Sequence, residues 1–256
     1  MATLGTAFAS DFDGTLCQSD WVTGEQHFDP ANLDAIRRYQ ADGGLFGICT
    51  GRPLASVLES LEGLLTLDFY IVTTGSQVLD RNLNKLWERS IARDIAEELV
   101  ERYASPQSSV VTVTDDQFVA IRFPMGPNLP VVASLDEVPG ALLDVSIECA
   151  GDEKAARAIC AEVNKRFAGT LEGFQNLGSV DIVPAGCSKG AGVDVIRNAL
   201  GVSSIAGIGD SYNDLPLLAA ADVAYTFDTS PAEVRSAADV VVATLADAVA
   251  DFRARP

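Results

Sequence analysis

The chain alternates short apolar runs with amphipathic segments, which is the pattern of buried strands followed by helices. Helical patterns extend from Pro30 to Asp42, with Asp29 as the N-cap, and from Pro53 to Leu65. Repeated strand and helix units predict an α/β fold with a doubly wound parallel sheet. The predicted strands are TAFAS (6–10), GLFGICT (44–50), FYIVTTG (69–75), SSIAGIGD (203–210), DVAYTF (222–227) and DVVVAT (239–244).

A different pattern occupies the middle of the chain and predicts an α+β domain inserted over residues 77–184. The core is then expected at 1–76 and 185–256. The insertion is predicted to contain a helix Ile91–Tyr103, two alternating strands in SVVTVTDDQFVAIRF (109–123), a weak helix near 129–137, a strand LLDVSIEC (142–149), a helix Glu153–Phe167, and two short strands near Leu171 and Val180.

Composition narrows the classes of partner. The net charge of −18 disfavours nucleic acid and anionic membrane surfaces, which bind through Lys and Arg. The five cysteines are scattered and form no CxxC pair, which favours a reducing cytoplasm. No apolar run approaches the ~20 residues that span a bilayer. An anionic small molecule remains possible, provided that a cation reverses the field inside its pocket.

Polar clusters follow three of the predicted strands. They are DFDGT (11–15), TGR (50–52) and GDSYND (209–214), while SKG (188–190) begins a predicted helix. In open parallel sheets, ligands bind beyond the carboxyl ends of the strands, so we expect these clusters to meet in one crevice.

These residue types fit phosphoryl chemistry. Mg²⁺ prefers oxygen ligands, and Asp11, Asp210 and a backbone carbonyl suit it. One carboxylate then remains as a nucleophile, and its neighbour carries a proton. The expected contacts to phosphoryl oxygens are the Thr50 hydroxyl, the amides of Gly14 and Gly51, and the Lys189 ammonium.

The four motifs, in this order, resemble those of the haloacid dehalogenase (HAD) superfamily of phosphohydrolases. The position of the insertion resembles the class II cap of its Cof-like branch, class IIB. This resemblance implies a Mg²⁺-dependent phosphatase that hydrolyses a small phosphate monoester, such as a sugar phosphate, through an aspartyl-phosphate intermediate.

The resemblance also implies roles for single residues. Asp11 matches the nucleophile, and Asp13 matches the acid that protonates the leaving alcohol and then acts as base on water. The implied phosphate contacts are Gly14, Thr50, Gly51, Lys189 and Asn213. The implied metal ligands are Asp11, Asp13, Asp210 and Asp214.

Some alternatives stay open. The chain is also compatible with a phosphomutase or phosphotransferase, with a non-catalytic phosphometabolite-binding protein, and less well with a phosphate-responsive receiver module. It is expected to be a monomer or a homodimer.

Several single residues also stay open at this point. Arg52 fits a surface ion pair and is left outside the catalytic set. TTGSQV (73–78) departs from the Asn-Gly-Ala of Cof-like proteins, which puts one substrate contact in doubt. The candidates for specificity in the insertion are Arg122, Glu148 and Asp181. Trp21 and Trp87 fit either packing or a substrate platform.

Overall fold

The computed structural model describes residues 5–19, 25–126 and 129–255 and contains two large sheets. The strands are β1 (Thr6–Ser10), β2 (Gln18–Ser19), β3 (Gln26–His27), β4 (Leu45–Cys49), β5 (Phe69–Val72), β6 (Gln77–Asp80), β7 (Lys85–Glu88), β8 (Ser109–Val113), β9 (Phe118–Ile121), β10 (Val131–Val132), β11 (Asp144–Glu148), β12 (Leu171–Asn176), β13 (Ser179–Pro184), β14 (Ser204–Ile208), β15 (Val223–Phe227) and β16 (Val240–Val242). The helices are α1 (Pro30–Ala41), α2 (Leu54–Leu61), α3 (Arg93–Tyr103), α4 (Glu153–Arg166), α5 (Lys189–Leu200), α6 (Leu215–Ala220), α7 (Ala232–Ala237) and α8 (Leu245–Ala254).

The first sheet has eight strands in the order β16-β15-β14-β1-β4-β5-β6-β7. Strands β16 to β5 are parallel, and β1 lies between β14 and β4. One apolar cluster joins this sheet to α1 and α8, and another joins its opposite face to α5. All six predicted apolar runs form strands here, so the predicted doubly wound α/β fold is confirmed.

The second sheet has six strands in the order β10-β9-β8-β11-β13-β12, mostly antiparallel. Helices α3 and α4 cover one face through an apolar cluster of their own. Residues 93–184, which contain this sheet and both helices, are called the cap below. Its other sheet face, called the cap face, carries residues that contact loops of the first sheet.

The structure corrects the expected start of the insertion. Strands β6 and β7 lie within 77–184, yet they extend the first sheet as antiparallel neighbours of β5. Trp87 of β7 packs half-buried against that sheet, whereas Trp21 lies outside the described residues. A hairpin pattern predicts two strands, but it carries no information about which sheet edge they join.

A second correction concerns the helix expected near 129–137. The described part of that segment forms the short strand β10 and a single 3₁₀ turn, Leu135–Glu137, which begins with a capping box at Ser134. The Arg93 guanidinium donates to the Leu135 carbonyl at 2.8 Å, and this bond holds the turn against α3. Over the described ranges, no helix is both long and apolar enough to cross a membrane.

Candidate active site

A buried ionic cluster lies where the central strands of the first sheet end. Lys189, at the start of α5, is 1% exposed. Its Nζ donates to Asp11 Oδ1 at 2.7 Å and to Asp214 Oδ1 at 2.6 Å. The parallel register of β1 and β14 pairs Ser10 with Ile208, which places the loops that follow both strands side by side. The predicted meeting of motifs from distant parts of the chain therefore occurs.

Burial and charge act in opposite directions on these groups. Burial raises the pKa of Asp11 well above its usual range, although Lys189 opposes this effect. For Lys189, burial alone would lower the pKa, but Asp11 and Asp214 raise it well above its usual value. Burial, together with the charge of Asp214, raises the pKa of Asp210 to about 6. The cluster therefore brings three carboxyl groups to one ammonium group, and a further cation would be needed for all three to ionise together.

Three carboxylates of this cluster fit a metal ion. Asp11, Asp210 and Asp214 each offer one oxygen, and these oxygens lie within 4.8 Å of one another. Asp214 Oδ2 accepts from the backbone amides of Asp210 and Ser211 at 2.9 and 3.0 Å. These bonds join the two ends of the loop 210–214. Because every donor is a carboxylate oxygen, the trio suits a hard divalent cation such as Mg²⁺.

Gly14 packs directly against this trio. Its φ is +85°, and an added Cβ would lie 2.7 Å from Asp210 Oδ2. Only glycine therefore fits this turn without moving a carboxylate of the trio.

Asp13, expected among the metal ligands, does not belong to the trio. Its two carboxylate oxygens instead accept from Arg52 Nε and Nη2, both at 2.6 Å. Ser19 Oγ donates to the same carboxylate at 2.8 Å. Arg52 is only 5% exposed, and its guanidinium lies 4.7 Å from the centroid of the Phe12 ring. Arg52 is therefore a buried partner of Asp13, and the interpretation as a surface ion pair is wrong.

Thr50 and Gly51 occupy the turn between β4 and α2. The Thr50 amide donates to the Ile71 carbonyl at 2.8 Å, and Thr50 Oγ1 accepts from the Arg52 amide at 3.1 Å. An added Cβ on Gly51 would lie 3.4 Å from Thr74 Oγ1 and 3.7 Å from Asp181 Oδ2. This turn therefore faces Asp181 of the cap.

Contacts between the two sheets involve polar residues. Asn213 Nδ2 donates to Asp181 Oδ2 at 3.1 Å, so Asn213 contacts the cap, although the resemblance implied a contact to the phosphate. Ser146 Oγ donates to Asp181 Oδ1 at 2.9 Å. Of the three cap candidates, Asp181 lies at the crevice, whereas Arg122 pairs with Glu101 on the helix side of the cap.

The segment TTGSQV (73–78), which departs from the Asn-Gly-Ala of Cof-like proteins, also lies between the two sheets. Thr73 and Thr74 have φ angles of +48° and +54°, which are strained values for β-branched residues. Thr74 Oγ1 donates to Asp144 Oδ2 at 2.8 Å. Asp144 is 1% exposed, and sequence reasoning missed it because it lies 70 residues from its partner.

The parallel core, the cap above its carboxyl edge and the cluster of acidic residues with one lysine together form a capped α/β architecture with one acidic crevice. The family model for haloacid dehalogenase-like hydrolases matches residues 8–252. The chain therefore belongs to that family, as the resemblance implied.

Curated relatives match most of the chain, and solved structures share its fold. An HMP-PP phosphatase of Cronobacter sakazakii is 24% identical over 236 residues, covering 86% of this chain and 82% of the relative. A Streptococcus mutans protein, SMU.1108c, has the same fold, with a TM-score of 0.81 and 18% identity over 98% of this chain and 100% of its own. The HAD subclass IIB sugar phosphatase BT4131 gives a TM-score of 0.79 at 19% identity, covering 96% of this chain and 98% of its own.

Proposed function

We propose that this protein hydrolyses a small phosphate monoester, with Mg²⁺ as cofactor and Asp11 as the nucleophile. The observation that carries the proposal is the position of Lys189 Nζ between Asp11 Oδ1 and Asp214 Oδ1, at 2.7 and 2.6 Å, in a buried site. A lysine held in this way orients the nucleophile and places positive charge where a phosphoryl group arrives.

The first half of the reaction uses two aspartates. Asp11 Oδ2, the oxygen that Lys189 does not hold, attacks phosphorus, and the bond from phosphorus to the leaving oxygen breaks. Asp13 donates a proton to that oxygen, so the alcohol leaves neutral. The bidentate Arg52 contact holds the Asp13 carboxyl group in a single orientation.

The second half regenerates the enzyme. Asp13 takes a proton from a water molecule whose oxygen attacks the phosphorus of the aspartyl phosphate. The bond between phosphorus and Asp11 breaks, which releases inorganic phosphate and restores the carboxylate. The Thr50 hydroxyl and the amide of Gly51 bind phosphoryl oxygens in both steps, whereas the Gly14 amide already donates to the Cys17 carbonyl at 2.9 Å. Mg²⁺, held by Asp11, Asp210 and Asp214, would neutralise part of the phosphoryl charge.

The relatives support the substrate class. One is named for HMP-PP and a solved structure of the same fold for sugar phosphates, so both named activities concern small phosphorylated molecules. The net charge of −18 agrees with a small substrate whose phosphate meets positive charge only inside the site.

Phosphate release tests the proposal. Sugar phosphates, pyridoxal phosphate, nucleotides and p-nitrophenyl phosphate are incubated with enzyme, either with Mg²⁺ or with a chelator. We expect release that requires Mg²⁺ and is lost in Asp11→Asn. Substantial Mg²⁺-dependent release by a folded Asp11→Asn variant would overturn the mechanism. Free alcohol with inorganic phosphate identifies hydrolysis, whereas a phosphate moved to another hydroxyl identifies a mutase.

A further inference from the structure

The cap face carries carboxyl groups that the proposed reaction does not use. In β11, Val145 and Ile147 pack among the apolar residues under the cap helices. Side chains alternate along a strand, so Asp144, Ser146 and Glu148 lie on the opposite face. Asp181 of the neighbouring strand β13 pairs in register with Ser146 and joins the same face. Asp144, Glu148 and Asp181 are called the cap carboxyls below.

The cap carboxyls lie next to the phosphate end of the crevice. Asp181 Oδ2 is 3.1 Å from Asn213 Nδ2, in the loop that holds the lysine-bound Asp214, and it lies beside Gly51. Asp144 contacts Thr74, whose hydroxyl faces Gly51 as well. A leaving group attached to a phosphoryl group at Gly51 therefore extends toward these carboxyls.

The positive charges of the cap lie elsewhere. Arg157 lies over the Tyr212 ring at 5.7 Å and donates to Gln175 at 3.3 Å. Lys154 and Lys165 are exposed on α4. The remaining described arginines of the cap pair on its helix side, Arg93 with the carbonyls of Leu135 and Val138, Arg102 with Glu162, Arg122 with Glu101 and Arg166 with Glu98. No cation of the described cap residues forms an ion pair with a cap carboxyl.

One of these carboxyls contains a buried oxygen without a partner. Within the described ranges, Asp144 Oδ1 has no hydrogen bond of normal geometry, although the residue is 1% exposed and the Ile182 backbone amide lies near its carboxyl group. Buried polar atoms are normally satisfied, and an unsatisfied acceptor costs free energy. Burial and the nearby Asp181 also raise the pKa of Asp144, and the same two causes raise the pKa of Glu148 to about 7. The free protein therefore leaves these groups short of positive charge and of hydrogen-bond donors.

We infer that the cap carboxyls select phosphate monoesters whose leaving group carries hydrogen-bond donors, preferably a protonated amine, and reject those with a second anionic group. This inference rests on the proposed function. An ammonium group would supply both the donors and the charge that the cap face lacks. A second phosphate or a carboxylate would meet carboxyl groups that have no ion-pair partner among the described cap cations, and it would raise the pKa of those groups further. Amino sugar phosphates are the substrate class that fits.

Three sugar phosphates test whether kcat/KM depends on the charge of the leaving group in the way that the inference predicts. Glucosamine 6-phosphate, glucose 6-phosphate and glucose 1,6-bisphosphate share a pyranose ring and differ in net charge. Initial rates of phosphate release from C6 with Mg²⁺ give kcat/KM for each compound. We expect kcat/KM to fall in that order, by at least tenfold between the first and the last. Equal values, or a preference for the bisphosphate, would overturn the inference.

Variants connect this order to the cap face. Glu148→Gln keeps the side-chain volume, and none of the hydrogen bonds described for this fold involves the Glu148 carboxyl. We expect it to reduce the ratio of glucosamine 6-phosphate to the bisphosphate severalfold, mainly through KM. Asp181→Asn should act in the same direction. Glu101→Gln is the matched control, because it removes a carboxylate from the helix side of the cap, and it should leave the ratio unchanged. A ratio unaffected by Glu148→Gln and Asp181→Asn would also overturn the inference.

These experiments distinguish a failure of the inference about the cap carboxyls from a failure of the proposed function. If p-nitrophenyl phosphate is hydrolysed but the three sugar phosphates show no charge order, only the inference about the cap fails. If no ester is hydrolysed, the proposed function fails. Calorimetry with Mg²⁺ then still ranks the binding affinities of the three sugar phosphates. If the bisphosphate binds most tightly, the proposed selectivity of the cap carboxyls is contradicted as well.

Discussion

Two groups of buried carboxylates face each other across the crevice, and they differ in their partners. In the core, Asp11 and Asp214 share Lys189, which donates to both. In the cap, the described side-chain donors to Asp181 are the neutral Ser146 and Asn213, and Asp144 Oδ1 accepts no hydrogen bond of normal geometry from a described group. Burial raises the pKa of Asp11, Asp144 and Asp181 alike. The difference between the two groups is therefore one of charge compensation.

This difference separates two tasks. A carboxylate that must attack phosphorus needs a fixed position and a partner already in place, because reorganisation during the reaction would raise the barrier. A carboxylate that recognises a ligand contributes more binding free energy when the ligand itself brings the cation or hydrogen-bond donor that pairs with it. Core substitutions should therefore lower kcat/KM for every substrate. Cap substitutions should instead change the ratio of kcat/KM between two substrates.

The largest effect is expected from Asp11→Asn. The amide cannot form the phosphoryl bond, so kcat should fall by about 10⁴-fold or more, by comparison with other catalytic nucleophiles. Phosphate release from p-nitrophenyl phosphate measures this loss, and circular dichroism checks the fold. Asp144→Asn changes the same group in the cap and should retain turnover of this small ester. Equal losses in the two variants would contradict the separation of tasks.

Lys189→Met should have the next largest effect, on stability. It removes the only partner that bridges Asp11 and Asp214 among the described residues, and breaking a buried pair in this way costs roughly 3–5 kcal/mol. Urea denaturation with a chelator present measures the loss in the free energy of unfolding. The exposed Lys154→Met is the control and should change it by less than ~0.5 kcal/mol. A loss below ~1 kcal/mol for Lys189→Met would mean that the buried pair contributes little.

Glu148→Gln should change how stability depends on pH. Burial raises the pKa of Glu148 from 4.5 to about 7 in the folded protein, so the folded state binds the proton more tightly than the unfolded state. Its contribution is fully present below pH ~4.5 and is lost as the pH rises through ~7. Relative to wild type, Glu148→Gln should therefore gain stability between pH 5 and pH 8, by at most about 3 kcal/mol.

Urea denaturation at both pH values measures this difference. Glu101→Gln, in which an exposed carboxylate loses its charge, is the control for general effects of charge removal. A Glu148→Gln variant with the same pH dependence as wild type would show that Glu148 is not desolvated in the folded protein.

Arg52→Lys should have the smallest effect. Lysine keeps the charge but loses the two parallel hydrogen bonds to Asp13, so the acid is oriented less well. We expect kcat to fall about tenfold, or about 1.4 kcal/mol in barrier height, with little change in KM. Steady-state kinetics with esters of different leaving-group pKa measures it. The loss should shrink for p-nitrophenyl phosphate, whose leaving group needs little protonation, and an equal loss for all esters would contradict a role through Asp13.

Much of the fold and part of the site could be predicted from local pattern. Apolar runs predicted all six strands from β16 to β5 of the first sheet. The motifs at strand ends, together with SKG at the start of a predicted helix, predicted that Asp11 and Lys189 lie close together. Arg52 could not be assigned in this way, because its position at a strand end does not determine whether its long side chain turns to solvent or to Asp13. The orphaned Asp144 was missed for the same reason, since burial of a polar atom depends on what the fold places over it.

The distance along the chain between Asp11 and Lys189 has a consequence for biosynthesis. The two residues lie 178 positions apart, and β1 has β14 as one of its two neighbours in the sheet. The apolar cluster of the cap comes from residues 91–182, so the cap can fold while the ribosome is still making α5. Asp11 leaves the ribosome early, and Lys189 follows only after most of the polypeptide has been synthesised. A chain that ends before α5 therefore lacks the lysine of the candidate site, which is complete only with about the last quarter of the protein.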